Sequence, residues 1–170
     1  MSAASKKLNL SDTQATEAMG AAMARSLPDM ADGVVVYVQG ELGAGKTTVV
    51  RSLLRTLGVT GPVRSPTYTL VDAYRVAELN FVHVDLYRLA SATQIEELGL
   101  RDLAGSNTLM LIEWAEKGGR VIPAPDLVVA LEYAGDSRAV YLSAGSACGQ
   151  EWLSNLALDT SLVPYVSNLT

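Results

Sequence analysis

The stretch Val34-Val35-Val36-Tyr37-Val38-Gln39-Gly40-Glu41-Leu42-Gly43-Ala44-Gly45-Lys46-Thr47-Thr48 limits the choice of fold more than any other part of this chain. Its β-branched opening reads as a buried strand. Thr48 to Leu57, which follows, carries the apolar spacing of an amphipathic helix. Between them the turn matches G-x-x-x-x-G-K-[ST], with Gly40, Gly45, Lys46 and Thr47 in the fixed places. Each position has a chemical reason. Phosphate oxygens are approached by bare backbone, so glycines let successive N–H groups converge. A helix starting near Gly45 adds unpaired amides and the positive end of its dipole. Lys46 supplies an ammonium for the β- and γ-phosphates, and Thr47 a hydroxyl for Mg²⁺. A glycine-rich turn with a chance lysine would lack these flanks. Strand, loop and helix occur here in the required order, and the segment is a phosphate-binding loop.

A phosphate loop also needs an acid just past a buried strand, facing the phosphates. Two residues qualify: Asp85, after Phe81-Val82-His83-Val84, and Glu113, after Leu109-Met110-Leu111-Ile112. Asp85 would hold the metal directly or through water. Glu113 would bind the metal or polarise the attacking water, and the sequence does not separate these roles. His83 leaves the same strand face as Asp85. It reads as a hydrogen-bonded structural histidine, with orientation of Asp85 as the alternative. Tyr87 and Trp114 flank the acids as packing or as a partner-docking pair. Ser65, Pro66 and Thr67 lie where nucleotide-binding proteins often keep a γ-phosphate-sensing loop.

The rest of the chain supplies the scaffold. Ser11-Asp12-Thr13-Gln14 is a capping box opening a helix with Ala15, Ala18, Met19, Ala22 and Met23 on one stripe. Thr69–Val76 and Asn80–Val84 alternate as two strands joined by a turn too short for a crossover helix, hence antiparallel. Ser91-Ala92-Thr93-Gln94 caps a helix that runs through Leu98 and stops at Gly99. Thr108–Ile112 is a buried strand, Leu127–Tyr133 and Arg138–Ser143 a second hairpin, and Gln150–Leu158 a last short helix. The pattern predicts an α/β phosphate-loop NTPase-like fold of three layers, with a mixed central sheet and hairpins. The nucleotide is expected at the carboxyl ends of the central strands. Residues 1–10 are expected to be a frayed N-terminus, 11–158 a single domain and 159–170 a C-terminal tail.

Composition narrows the function. A net charge of −5 without a basic run argues against gripping DNA or RNA unaided. One cysteine, Cys148, and one histidine, His83, make neither a disulfide nor a zinc site. No signal peptide or membrane span is read, and a cytoplasmic location is expected. None of the five asparagines precedes lysine, so the guanine-selecting N-K-x-D is missing. Asp102-Leu103-Ala104-Gly105 matches D-x-x-G but follows no apolar strand. ATP is favoured over GTP by this elimination. A small-molecule kinase would carry an arginine-bearing lid, and Leu89–Leu103 holds only Arg101.

Four ordered blocks, Gly40–Thr48, Ser65–Leu70, His83–Leu89 and Ile112-Glu113-Trp114, closely resemble the TsaE family. The likeness runs from about Thr16 to Arg138. It implies a weak, Mg²⁺-dependent ATPase of bacterial tRNA threonylcarbamoyladenosine biosynthesis. Such a protein joins a TsaB–TsaD pair, which performs threonylcarbamoyl transfer to adenosine 37 of tRNA, and its hydrolysis resets that complex. It meets tRNA only through its partners, as the acidic charge suits. By the same resemblance Gly43, Ala44, Gly45, Lys46, Thr47 and Thr48 bind the phosphates. Thr47 and Glu113 hold Mg²⁺ with Asp85 close by, and Lys46, Glu113 and Asp85 form the catalytic set. Ser65, Pro66 and Thr67 form a switch-like loop, and Thr16 and Arg138 lie beside the nucleotide. Ala115 departs from the family, whose members commonly have proline there. Two other functions compete: a nucleotide-gated binding protein with incidental hydrolysis, and the small-molecule kinase.

Overall fold

The molecule is described by a computed structural model covering residues 5–166. Strand β2 (Val34–Gly40) lies at its centre because both faces of the strand are apolar. Val34, Val36 and Val38 point into one core and Val35 into another, with Tyr37 packed against the second. Such a strand must be covered on both sides.

The other strands are β1 (Ser5–Leu10), β3 (Val71–Val76), β4 (Leu79–Asp85), β5 (Thr108–Glu113), β6 (Leu127–Ala134) and β7 (Ser137–Ala144). They form one seven-stranded sheet in the order β1-β7-β6-β2-β5-β4-β3. β2 runs parallel to β5 and β6, and β4 parallel to β5. β3–β4 and β6–β7 are antiparallel hairpins, as alternation and short turns require.

Helices α1 (Thr13–Arg25), α2 (Lys46–Thr56) and α5 (Ala147–Leu156) cover one face. Their apolar residues, including Met19, Met23, Leu53, Leu54 and Trp152, meet the odd-numbered core residues of β5. The short helices α3 (Ala92–Glu96) and α4 (Leu100–Leu103) cover the other face through Ile95 and Leu100. The result is the expected α/β fold with a mixed sheet between two helical layers.

The two ends differ from expectation. Residues 5–10 are not frayed. They form edge strand β1, antiparallel to β7 from Ser5↔Ser143 to Leu10↔Arg138. Leu8 and Leu10 are buried beneath it, and this long-range pairing overrides a weakly apolar local sequence. Residues 160–165 are not a featureless tail either. They form a 3₁₀ turn that buries Leu162, and Val166 then bridges Leu8. Arg25 Nε holds Asp159 Oδ2 at 2.9 Å, which fixes the start of that turn to the end of α1. The remainder of both terminal expectations, at 1–4 and 167–170, lies outside the described residues.

Smaller differences concern helix starts. Asp12, rather than Ser11, caps α1, its carboxylate accepting the Ala15 amide at 2.8 Å. α5 begins at Ala147 because the Ser146 hydroxyl accepts the Gly149 amide at 3.1 Å. α3 ends at Glu96, short of Leu98, although Ser91 caps it as its sequence suggests.

Candidate functional site

The loop from Gly40 to Gly45 joins the carboxyl end of β2 to the start of α2. Gly45 caps α2 with φ +105°, a backbone state that a side chain would strain. Among the described residues no side chain caps this helix, so its first amides stay available to an anion.

Lys46 does not point freely outward. Its ammonium donates to the carbonyls of Gly40 at 2.7 Å and Glu41 at 2.8 Å, and sits 4.1 Å from the Trp114 ring centroid. Burial lowers its pKa from the usual lysine range, against the opposing pull of Glu113, Glu116 and Asp85.

Thr47 Oγ1 donates to Glu113, 2.9 Å from Oε1 and 3.1 Å from Oε2. Glu113 ends β5 and Asp85 ends β4, directly opposite each other in parallel register. Both carboxylates are buried. The fully buried His83 meets Glu113 rather than Asp85, with Nε2 2.9 Å from Oε1. The alternative reading of His83, orientation of Asp85, fails because the ring reaches across to Glu113 on the neighbouring strand.

Asp85 is engaged elsewhere. Oδ1 accepts the Tyr87 amide at 2.8 Å, and Oδ2 accepts the Ser65 hydroxyl and, at 3.4 Å, that of Thr67. The loop expected to act as a switch is therefore tied to the β4 acid. Pro66 is buried behind it, and its carbonyl accepts the Leu70 amide at 2.6 Å.

These groups face a cleft of about 310 Å³, lined among others by Lys46, Thr47, Ser65, Asp85, Glu113 and Trp114. A second cleft of about 180 Å³ lies across the loop, lined by Asp12, Thr16, Gly43, Ala44, Thr48 and Arg138 among others. The expected site residues thus divide into two groups. Thr47, Asp85 and Glu113 stand on one side of the loop, and Thr16 and Arg138 on the other. Gly43, Gly45 and Thr48 line both clefts.

The donor set fits Mg²⁺. A threonine hydroxyl and one or two carboxylates are hard oxygens, and Mg²⁺ takes few protein ligands, completing its shell with water and phosphate. Among the described residues no group of three or more His, Cys, Asp or Glu forms an all-protein cage.

Sequence reading missed Tyr133. Its hydroxyl donates to the Leu42 carbonyl at 2.7 Å, and the Arg138 guanidinium lies 4.1 Å from its ring centroid. The β6–β7 hairpin thereby braces the loop from outside, and an aromatic at a strand end gives no local sign of this. Trp114 takes φ +60° and packs against Tyr87, with ring centroids 5.0 Å apart and planes tilted by 46°. The turn after Glu113 closes without the proline, as a 3₁₀ turn at Ala115–Lys117 with Ala115 buried.

The family model described as "Threonylcarbamoyl adenosine biosynthesis protein TsaE" matches residues 10–140. The chain belongs to the TsaE family. The TsaE of Haemophilus influenzae is 43% identical over 121 residues, covering 71% of this chain and 77% of that protein. That of Bacillus subtilis is 33% identical over 131 residues, with 77% and 78% covered. The crystal structure of Bacillus subtilis YdiB shares the fold at a TM-score of 0.74 and 24% identity, covering 92% of this chain and 97% of that one. In this TsaE-family chain the matched segment holds both clefts, from Leu10 to Arg138. Among the described residues no helix is long and apolar enough to cross a membrane.

Proposed function

We propose that this TsaE-family chain is a Mg²⁺-dependent ATPase, slow alone, acting in tRNA threonylcarbamoyladenosine biosynthesis. It couples hydrolysis to a cytoplasmic TsaB–TsaD-type transferase complex and meets tRNA only through that complex. The observation that carries this reading is the contact of Thr47 Oγ1 with Glu113 at the mouth of the loop. It brings a hydroxyl and a buried carboxylate of two different elements together at the cleft beside the glycine-rich loop.

The residues divide the work as follows. Amides of Gly43, Ala44, Gly45, Lys46, Thr47 and Thr48 receive the phosphates. Lys46 exchanges the Gly40 and Glu41 carbonyls for phosphate oxygens, which suits an ammonium held by neutral acceptors. Thr47, whose hydroxyl donates to Glu113, would offer its oxygen to the ion. Glu113 would hold the ion with it. Bound Mg²⁺ neutralises charge on the β- and γ-oxygens. Asp85, one strand further out on the same cleft, orients the attacking water and holds the Ser65–Thr67 loop. Thr16 and Arg138 border the cleft left for the nucleoside.

Lys46→Ala and Glu113→Ala are each expected to lower ATP turnover by about 100-fold or more, the scale of losing one transition-state donor. Undiminished turnover in both variants would remove this assignment.

The Ser65–Asp85–Thr67 contacts favour a second reading, in which the loop is a nucleotide-gated docking element and hydrolysis is incidental. Binding of a TsaB–TsaD complex that differs between ATP, ADP and no nucleotide supports gating. Equal binding in all three states excludes it.

A further inference from the structure

His83 is the one buried imidazole of the chain, and the roles given above to Lys46, Thr47, Asp85 and Glu113 do not use it. It projects from β4 with no solvent exposure. Its Nε2 lies 2.9 Å from Glu113 Oε1, while its Nδ1 is buried with no hydrogen-bond partner among the described residues. An imidazole serving only to fill the core would bury an unpartnered nitrogen for nothing, and an apolar side chain of similar size would avoid that cost. The Nε2 contact is what the residue gains.

Glu113 has a matching need. It is buried at the end of β5, and a buried carboxylate must be held by donors. Among the described residues two side chains supply them, Thr47 and His83. The Thr47 hydroxyl lines the cleft, where its oxygen would also serve the ion. His83 comes from the neighbouring strand, two residues before Asp85, and answers to nothing in the cleft. It is the donor that holds the carboxylate still whether or not a ligand is present.

We infer that His83 is a positioning residue: an Nε2–H donor that fixes Glu113 against Thr47, so that the free lone pairs of the carboxylate meet Mg²⁺ in one orientation. The inference rests on the Mg²⁺–ATP reading above. Outer groups that orient a metal ligand commonly govern metal affinity by about 10–100-fold.

The test is calorimetric binding of a non-hydrolysable ATP analogue to the full chain, with Mg²⁺ and with EDTA, alongside thermal melts. The ratio of the two affinities is the metal-dependent gain. In His83→Leu the gain is expected to fall by about 10–100-fold, with the EDTA affinity within about threefold of the unsubstituted protein. His83→Gln, whose side-chain amide reaches the Nε2 position, is expected to restore most of the gain. Should His83→Leu not fold, His83→Asn replaces it: its amide stops one bond short and is expected to lose the gain that Gln keeps. A gain unchanged in the Leu or Asn variant overturns the inference. So does a loss equal with and without metal, which marks a purely structural role, and so does failure of Gln to rescue. A metal-dependent gain missing from the unsubstituted protein would instead overturn the Mg²⁺–ATP reading, and this inference with it.

Discussion

Asp85 illustrates how one carboxylate links a loop to a site. It accepts the Ser65 and Thr67 hydroxyls and the Tyr87 amide. Hydrogen bonds to a charged acceptor contribute more than neutral ones, so Asp85→Ala is expected to loosen residues 64–68 by about 10-fold or more in amide exchange. Unchanged exchange there would show that Pro66 and its turn hold the loop unaided. At this scale the sequence was informative wherever chemistry demands a residue type at a fixed spacing. Gly45, Lys46 and Thr47 are legible because the G-x-x-x-x-G-K-[ST] pattern fixes their type and spacing, and Asp85 and Glu113 because each ends an apolar strand. Three contacts were not legible: His83 with Glu113, Tyr133 with Leu42, and Lys46 over Trp114. Each joins residues whose proximity depends on how separate elements lie against one another.

The elements that aim the site are α1, α2 and the edge of the sheet. Gly20 allows the first two helices to touch: a Cβ there would stand 2.6 Å from the Val49 carbonyl oxygen and 2.8 Å from Ser52 Cβ. Gly20→Ala adds helix propensity yet must push backbone apart, so it is expected to destabilise the fold by about 1–3 kcal/mol in urea unfolding. A neutral or stabilising result would mean that the helices separate freely. Strand β1 matters for the same reason. Leu10 is fully buried beneath it and lines the cleft beside Thr16 and Arg138. Leu10→Ala is expected to cost about 2–5 kcal/mol, which a frayed terminus would not. The β1 expectation failed because Ser5-Lys6-Lys7-Leu8-Asn9-Leu10 has only two apolar residues, and its partner lies at the far end of the chain. The two hairpins were legible because their turns are local.

Across the described residues, the two end segments, β1 and the 160–165 turn, meet. The turn at 160–165 packs Leu162 into the main core, and Val166 bridges β1. Asp159 anchors it, its pKa lowered from 3.8 to about 2, chiefly by its hydrogen bond from Arg25, with help from Ser161. A depressed carboxylate contributes stability that is complete above its unfolded value and lost as pH falls through the folded one. The stability difference between the unsubstituted protein and Asp159→Asn is therefore expected to hold near neutrality and to shrink as pH falls from about 4 to about 2. A difference independent of pH would assign the anchor to packing alone. Arg25 is half exposed, so the difference itself is expected to be about 1 kcal/mol or less. The strand order had no local signature, because β2 finds β5 and β6 only after long intervening segments fold back.

The central claim is that Lys46, now satisfied by its own loop, gives way to a triphosphate whose cation Thr47 and Glu113 hold. A crystal structure with a non-hydrolysable ATP analogue and Mg²⁺ tests it most directly. The predicted result has phosphates on the amides of Gly43–Thr48, Lys46 Nζ moved from the Gly40 and Glu41 carbonyls onto the β- and γ-oxygens, and Mg²⁺ between Thr47 Oγ1 and Glu113. An empty loop with Lys46 still on those carbonyls, or an ion bound away from both Thr47 and Glu113, would contradict it.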